Sequence, residues 1–175
     1  MYVCSSSTTI QLFIHSFILT PRKAPGFIAY EDTTVVPSLV RAAHGTVLEL
    51  GPGSGNQIHR FNGDAVDMIY GIDPNPCFAD VIAAKVKKND LENKYKLLVC
   101  GLEDRKVMES EGITEGSVDT VLSIQVLCSV DDVKVVMREV YRLLKPGGRF
   151  VFWEHGRSED GITATAQCEC LRSGC

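Results

Sequence analysis

A glycine-rich turn follows an apolar run in the first third of the chain, and its spacing limits the chemistry it could do. The run Val47–Leu50 leads into three glycines at alternate positions: Gly51, Gly53 and Gly55. Glycine allows a sharp turn and a close approach of the backbone to a ligand. Asn56 stands where a dinucleotide-binding motif needs glycine, and no lysine follows to form a phosphate-binding loop. With Glu49 just before the glycines, the turn indicates a ligand with a cationic head and no pyrophosphate.

A second candidate binding residue, Asp73, ends the next apolar run, about twenty residues past the glycines. In nucleotide-binding α/β folds, a carboxylate at such a position accepts hydrogen bonds from the ribose hydroxyls. Asp73 precedes Pro74, so a helix cap or a turn former is the alternative interpretation. An ordinary tight turn is the alternative for the glycines alone. Taken together, the two signals predict a site that binds a nucleoside without its phosphates.

The elements that must position these residues alternate along the chain. The predicted strands are Val47–Leu50, Met68–Ile72, Lys96–Cys100, Val118–Ile124 and Arg149–Glu154. Helical spacing or end signals mark Val35–Ala43, Gly55–Phe61, Pro76–Lys88 and Asp131–Leu144, the last ended by Lys145–Gly148. Near-continuous apolar strands separated by helices predict an α/β, Rossmann-like parallel sheet with helices on both faces. Ligands of such sheets bind beyond the carboxyl ends of the strands.

Composition limits the partners. The chain has 175 residues, 45% of them hydrophobic, and a formal net charge of -4. These values predict one globular core and disfavour a nucleic acid as the partner. The apolar stretch Ile10–Leu19 is interrupted by polar residues and is shorter than the roughly 20 residues that cross a bilayer. We therefore expect a cytoplasmic protein without a transmembrane span.

The chain has seven cysteines, and their spacing indicates whether they are reduced thiols, as in the cytosol, or paired in disulfides. Four of them are widely spaced and predict reduced, mostly buried thiols: Cys4, Cys77, Cys100 and Cys128. The other three lack the paired C-x-x-C spacing of a zinc module, so we expect no metal: Cys168, Cys170 and Cys175.

The motifs together resemble the class I S-adenosylmethionine-dependent methyltransferases, over residues 45 to 157. The matching segments are Glu49–Gly55, Asp73, Gly101–Asp104, Ser117–Asp119 and Leu144–Gly148. Three segments are similar to the branch of membrane-associated thiol S-methyltransferases and their fungal relatives: Gly51–Gly55, Val126–Val130 and Phe152–His155.

The resemblance implies a role for each segment. Glu49, Gly51, Gly53 and Gly55 would hold the methionine part of S-adenosylmethionine, and Asp73 would bind the ribose. Cys100–Glu103, with Gly101, Leu102 and Glu103, would lie along the adenine, and Gln125–Cys128 would face the methyl group. Catalysis would rest mainly on holding donor and acceptor at attack distance. A thiol acceptor needs no strong base, because part of it is already ionised at neutral pH.

Three residues near the strand ends have competing interpretations. His155 is the candidate general base, with a hydrogen-bonded packing role as the alternative. Cys128 is a weaker candidate nucleophile, since a cysteine among Val126, Leu127 and Val130 usually packs in a core. We interpret Trp153 as a packing residue.

The ends of the chain depart from the family pattern. We divide it into an N-terminal extension (1–30), the cofactor-binding domain (31–157) and a short C-terminal tail (158–175). The C-terminal antiparallel strands of the family are missing or shortened here, so the fifth strand would be an exposed edge that favours an oligomer. The alternating residues of Ile162–Cys170 predict a covering strand or, equally, the start of a helix.

The predicted function is an S-adenosylmethionine-dependent methyltransferase that acts on a small molecule, with a thiol favoured by the resemblance. The alternatives are a cofactor-binding protein without activity, because of the shortened C-terminus, and a small-molecule O-methyltransferase. A nicotinamide oxidoreductase is disfavoured by Asn56. Peripheral membrane contact is carried over from the relatives as a further alternative to a purely cytoplasmic location.

Overall fold

The strands form one parallel sheet in the computed structural model, which describes residues 25–154. They are β1 Gly45–Leu50, β2 Val66–Ile72, β3 Tyr95–Leu98, β4 Val118–Ile124 and β5 Leu144–Trp153. Their order across the sheet is β3-β2-β1-β4-β5, and every neighbouring pair is parallel. The predicted fold class, an α/β Rossmann-like sheet, is confirmed. The unit that contains the sheet is Glu31–His155.

Short helices precede and connect the strands. They are α1 Pro25–Glu31, α2 Val36–Arg41, α3 Ala79–Lys88, α4 Arg105–Ser110 and α5 Val133–Leu143. Single 3-10 turns lie at Ile58–Arg60, Pro76–Phe78 and Leu127–Ser129. Asp132 starts α5, because its carboxylate accepts the backbone N–H groups of Lys134 and Val135 at 2.7 and 3.2 Å. None of the helices within residues 25–154 has the length and apolarity that a membrane-spanning segment requires.

Two apolar clusters cover the two faces of the sheet. Successive strand residues point to opposite faces, so Val47 joins one cluster and Leu48 the other. The Val47 cluster includes buried residues of α2 and α3: Val36, Val40, Ile82 and Val86. The Leu48 cluster includes buried residues of α4 and α5: Met108, Val140 and Leu143. Helices therefore pack on both faces, as the sequence predicted.

The end of α5 differs from its prediction. The helix ends at Leu143, and Lys145–Gly148 lies inside β5 rather than in a turn before it. Val118 pairs with Leu144 while Thr120 pairs with Arg149, so the intervening residues of β5 form a bulge. The bulge brings Lys145 Nζ to 2.7 Å from Asp119 Oδ2. The predicted start of the fifth strand at Arg149 was wrong, because pairing with β4 already begins at Leu144.

The segment predicted as helical over Gly55–Phe61 is mostly loop and contains only a single 3-10 turn, Ile58–Arg60. Arg60 in this turn is buried with 4% of its surface exposed. Its guanidinium lies 3.0 Å from Glu31 Oε2 and 2.6 Å from Asp32 Oδ1. The side chain of Gln57 contacts both Arg60 and Glu31. This polar cluster joins the residues just before α2 to the chain that leaves the glycine turn.

Candidate functional site

The predicted cofactor residues lie beyond the carboxyl ends of four neighbouring strands. Glu49 and the glycines end β1, Asp73 follows β2, and Gly101 and Gln125 follow β3 and β4. The chain runs from β1 through β2 to β3 on one side and then returns past β1 to β4 on the other, so the strand order reverses between β1 and β4. Such a point of reversal leaves a crevice at the sheet edge, where ligands of open α/β sheets bind. The topology thus brings together the residues that the sequence singled out.

The glycine turn has backbone angles that favour glycine. The φ angles of Gly51, Gly53 and Gly55 are +53°, +52° and +74°. A Cβ at residue 51 would lie 2.8 Å from a methyl carbon of Val126, in the segment after β4. At Gly53, by contrast, the nearest atom to an added Cβ is 4.0 Å away. The turn is therefore packed closely at its start and open at its middle glycine.

Glu49 is buried at the end of β1 with an incomplete set of hydrogen bonds. It exposes 2% of its surface, and its Oε2 accepts a hydrogen bond from Tyr95 Oη at 2.8 Å. Its other oxygen, Oε1, is buried without a hydrogen-bond partner among the described residues. A buried acceptor without a partner is costly in a folded protein. The free oxygen is a place where a cationic donor would be held.

The surroundings of Glu49 disfavour its charge. Burial is the main cause, the charge of Asp73 adds to it, and the hydrogen bond from Tyr95 opposes both; together they raise the pKa of Glu49 to about 7. The pKa of Tyr95 is raised by burial first and by the charge of Glu49 second. The carboxylate is thus poised to gain from a nearby cation at neutral pH.

Asp73 connects the ends of β1 and β2. Its Oδ2 accepts the backbone N–H of Gly53 at 3.0 Å, and its Oδ1 accepts that of Asn75 at 2.9 Å. It therefore makes the local turn that the alternative interpretation predicted, and it also fixes the open part of the glycine turn. Burial raises its pKa, while the two backbone hydrogen bonds lower it. A carboxylate has about four acceptor positions, so both oxygens keep room for hydroxyl donors.

The segment after β3 combines buried and exposed residues. Cys100 and Leu102 are 4% and 8% exposed, whereas Glu103 is exposed. Burial, together with the charges of Asp104 and Glu103, raises the pKa of the Cys100 thiol to about 11. The thiol is thus neutral at physiological pH, and the segment offers an apolar surface with an acidic rim.

The segment after β4 has an unusual backbone. Gln125 has a φ of +58°, which is uncommon outside glycine, and its N–H donates to Trp153 O at 2.9 Å. Trp153 packs against the apolar cluster, which confirms its packing role. The expected burial of Cys128 is wrong, because the 3-10 turn Leu127–Ser129 turns it to the surface.

Glu154 supports this segment, a role that the sequence did not reveal. Its Oε1 accepts hydrogen bonds from Ser123 Oγ at 2.6 Å and from the N–H of Val126 at 3.1 Å. Its Oε2 accepts the N–H of Leu127 at 3.1 Å. The carboxylate thus ties the chain after β5 to the turn after β4. The sequence offered one signal, an acid at the end of the fifth strand.

Other expectations have mixed outcomes. Cys100 is buried as expected, but Cys77 is exposed, because it lies in the 3-10 turn before α3. Four predicted features lie outside the described residues: His155, Cys4, the strand or helix at Ile162–Cys170, and the three clustered C-terminal cysteines. Over residues 25–154, no group of three or more His, Cys, Asp or Glu side chains could hold a metal ion.

Comparison with known proteins identifies the family to which the sheet belongs. The family described as "Methyltransferase domain" matches residues 48–152. Thiol S-methyltransferase TMT1B of Rattus norvegicus is 33% identical over 119 residues, which are 68% of this chain and 46% of the relative. Thiol S-methyltransferase TMT1A of Homo sapiens is 32% identical over 114 residues, which are 65% of this chain and 44% of the relative. The chain spans less than half the length of these curated relatives.

Solved structures share the fold at lower identity. N-methyltransferase NodS from Bradyrhizobium japonicum WM9, in complex with S-adenosyl-L-homocysteine, superposes with a TM-score of 0.62 at 15% identity, covering 93% of this chain and 84% of that one. The [4+2]-cyclase SpnF superposes with a TM-score of 0.61 at 18% identity, covering 82% of this chain and 56% of that one. The resemblance noted in the sequence is confirmed at the level of family and fold.

Proposed function

The chain belongs to the methyltransferase domain family, whose cofactor is S-adenosylmethionine, and we propose that it transfers the methyl group of that cofactor to a small-molecule thiol. The observation that carries the proposal is the buried Glu49 oxygen without a partner, at the sheet edge where such folds bind ligands. The family match supports the cofactor. The two relatives named as thiol S-methyltransferases support the acceptor.

The residues at the edge fit the cofactor. Glu49 Oε1 is suited to accept a hydrogen bond from the ammonium group of the methionine part, and the open space at Gly53 admits that part close to the backbone. Asp73 keeps acceptor positions for the ribose hydroxyls. We assign the adenine to the segment after β3, with Gly101, Leu102 and Glu103, where Leu102 supplies an apolar surface.

The cofactor, when bound, supplies a methyl group already activated by the sulfonium charge. The protein then has to orient that group, exclude water and admit the acceptor. We assign this task to the segment after β4, which begins at Gln125 and is fixed by the carboxylate of Glu154. A thiol suits such a site, because it ionises partly at neutral pH without a strong base. The role of His155 as a base for other acceptors stays a prediction.

Calorimetric titration of the purified chain with S-adenosylmethionine tests the proposal, followed in the same sample by product detection with 2-mercaptoethanol, thiophenol and phenol. We expect saturable binding and methylation of the thiols. Turnover of phenol alone would favour the O-methyltransferase alternative, and binding without turnover would favour a cofactor-binding protein without activity. A folded sample that does not bind the cofactor would overturn the proposal.

A further inference from the structure

Tyr95 reaches across the sheet to the Glu49 carboxylate. Its side chain starts on β3, and its hydroxyl lies 2.8 Å from Glu49 Oε2 on β1. The path crosses β2 at Gly71, which pairs with Glu49 in the strand register. A Cβ at residue 71 would collide with the Tyr95 hydroxyl, so the contact needs glycine there. The tyrosine is buried, with 7% of its surface exposed.

The hydrogen bond determines which carboxylate oxygen stays free. It occupies Oε2 and leaves Oε1 without a partner among the described residues. It also favours the charged form of Glu49, against burial and against the charge of Asp73. These two, Tyr95 from β3 and Asp73 after β2, are the titratable groups that act on Glu49; its register neighbour on β4 is the apolar Leu122. A phenylalanine would fill the same space without the hydrogen bond.

We propose that Tyr95 is a positioning residue for cofactor binding, which keeps the Glu49 carboxylate charged and turned so that Oε1 meets the ammonium group of S-adenosylmethionine. The inference rests on the proposed function. It adds a determinant on β3, outside the glycine turn and outside Asp73. The affinity for the cofactor then depends on pH through the Glu49 carboxylate, and the Tyr95 hydroxyl sets the pH range in which it does so.

The variant Tyr95→Phe tests the inference by calorimetric titration with S-adenosylmethionine from pH 6 to pH 9. Removing the hydrogen bond raises the pKa of Glu49, because the charged form loses a donor. The variant should then bind about five- to tenfold more weakly than the natural protein at pH 7 and below. The two dissociation constants should agree within about twofold at pH 9, where both carboxylates are charged. The amine of the cofactor titrates equally in both measurements, so the ratio of the two dissociation constants reports only the titration of the protein.

Tyr70→Phe is the matched control. Tyr70 lies on β2, and its hydroxyl donates to the backbone oxygen of Glu111 at 3.2 Å. The substitution removes the same group without changing a contact of Glu49, so the ratio of dissociation constants should stay near one throughout the pH range. In a Glu49→Gln background, where nothing titrates at residue 49, Tyr95→Phe should lose its pH-dependent effect.

A ratio that is the same at every pH would show that Tyr95 does not keep the Glu49 carboxylate charged, and it would overturn the inference. An unchanged affinity at every pH would do the same. These results differ from failure of the proposed function, in which the natural protein itself does not bind S-adenosylmethionine. Thermal unfolding of each variant shows whether it is folded. A loss of affinity caused by altered packing would persist when Tyr95→Phe is made in the Glu49→Gln background.

Discussion

Two glutamates at the carboxyl ends of the strands, Glu49 and Glu154, differ in how fully their carboxylates are hydrogen-bonded. The carboxylate of Glu154 accepts three hydrogen bonds, one from a serine hydroxyl and two from backbone N–H groups. Glu49 accepts one and keeps Oε1 without a described partner, although it is the more buried of the two. The partnered carboxylate stabilises the fold, whereas the unpartnered one destabilises it. A fold keeps such a group when a ligand makes use of it.

The largest expected effect is on the stability of the cofactor-free protein in Glu49→Gln. The folded state raises the pKa of Glu49 from 4.5 to about 7, so it holds a proton that the unfolded chain loses first. The contribution of Glu49 to the free energy of unfolding therefore falls as pH rises from 4.5 to 7, and it stays low above pH 7. The neutral glutamine removes the penalty, so the variant should be more stable at pH 8 by about 3 kcal/mol.

Denaturant unfolding at pH 8 and at pH 4.5 measures this effect. The gain should shrink toward zero at the lower pH, where the natural glutamate is itself neutral in the folded state. Glu115→Gln, at an exposed position, is the control and should change little at either pH. Equal stability of natural protein and Glu49→Gln at pH 8 would contradict the contrast between the two glutamates.

The same Glu49→Gln variant should bind S-adenosylmethionine about a hundredfold more weakly at pH 8, because the ammonium group loses a buried charged partner. Calorimetry measures the dissociation constant directly. Stability and binding would then change in opposite directions in one variant. A loss below threefold would mean that the free oxygen does not face the cofactor.

Glu154→Gln should act in the opposite direction on stability. The amide nitrogen cannot accept a hydrogen bond, so either Leu127 N–H or the Val126 and Ser123 donors lose their acceptor. We expect a loss of about 2 kcal/mol in the free energy of unfolding, a lower kcat, and a dissociation constant for the cofactor within about twofold of the natural value. Unchanged stability together with weakened cofactor binding would instead place Glu154 in the cofactor site.

Asp73 is the intermediate case, since its carboxylate has backbone partners and still has room for ligand donors. Asp73→Ala should weaken binding of S-adenosylmethionine at least tenfold, or about 1.4 kcal/mol. Asp80→Ala, at an exposed aspartate in the first turn of α3, is the control. Equal affinity of Asp73→Ala and the natural protein would show that Asp73 only stabilises the turn and does not bind the cofactor.

The sequence predicted the elements whose signals are local. The glycines and Asp73 follow apolar runs, and the topology of a parallel sheet then places their positions at one edge. Helix α4 was missed, because Arg105–Ser110 is short and polar and buries only Met108. The bulge in β5 was missed for a related reason. Lys145–Gly148 has the composition of a turn, and its place in β5 follows only from the pairing of the flanking residues Leu144 and Arg149 with β4.

The contacts that complete the site depend on residues far apart in the chain. Tyr95 is 46 residues from Glu49, and it reaches the carboxylate only because β2 has glycine at residue 71. Glu154 is 31 residues from Ser123. Neither pair leaves a periodic signal in the sequence. Their partners follow from strand order and register, which composition and spacing do not specify.

The buried Arg60 has a practical consequence for where the folding unit begins. The family match starts at residue 48, but the guanidinium of Arg60 is neutralised by Glu31 and Asp32, which lie upstream of the match. A fragment cut to the matched segment would leave a positive charge without its partners in the interior, a defect of roughly 3–5 kcal/mol for a buried ion pair that loses a partner. A stable fragment therefore has to include Glu31 and Asp32, which lie outside the bounds of the family match.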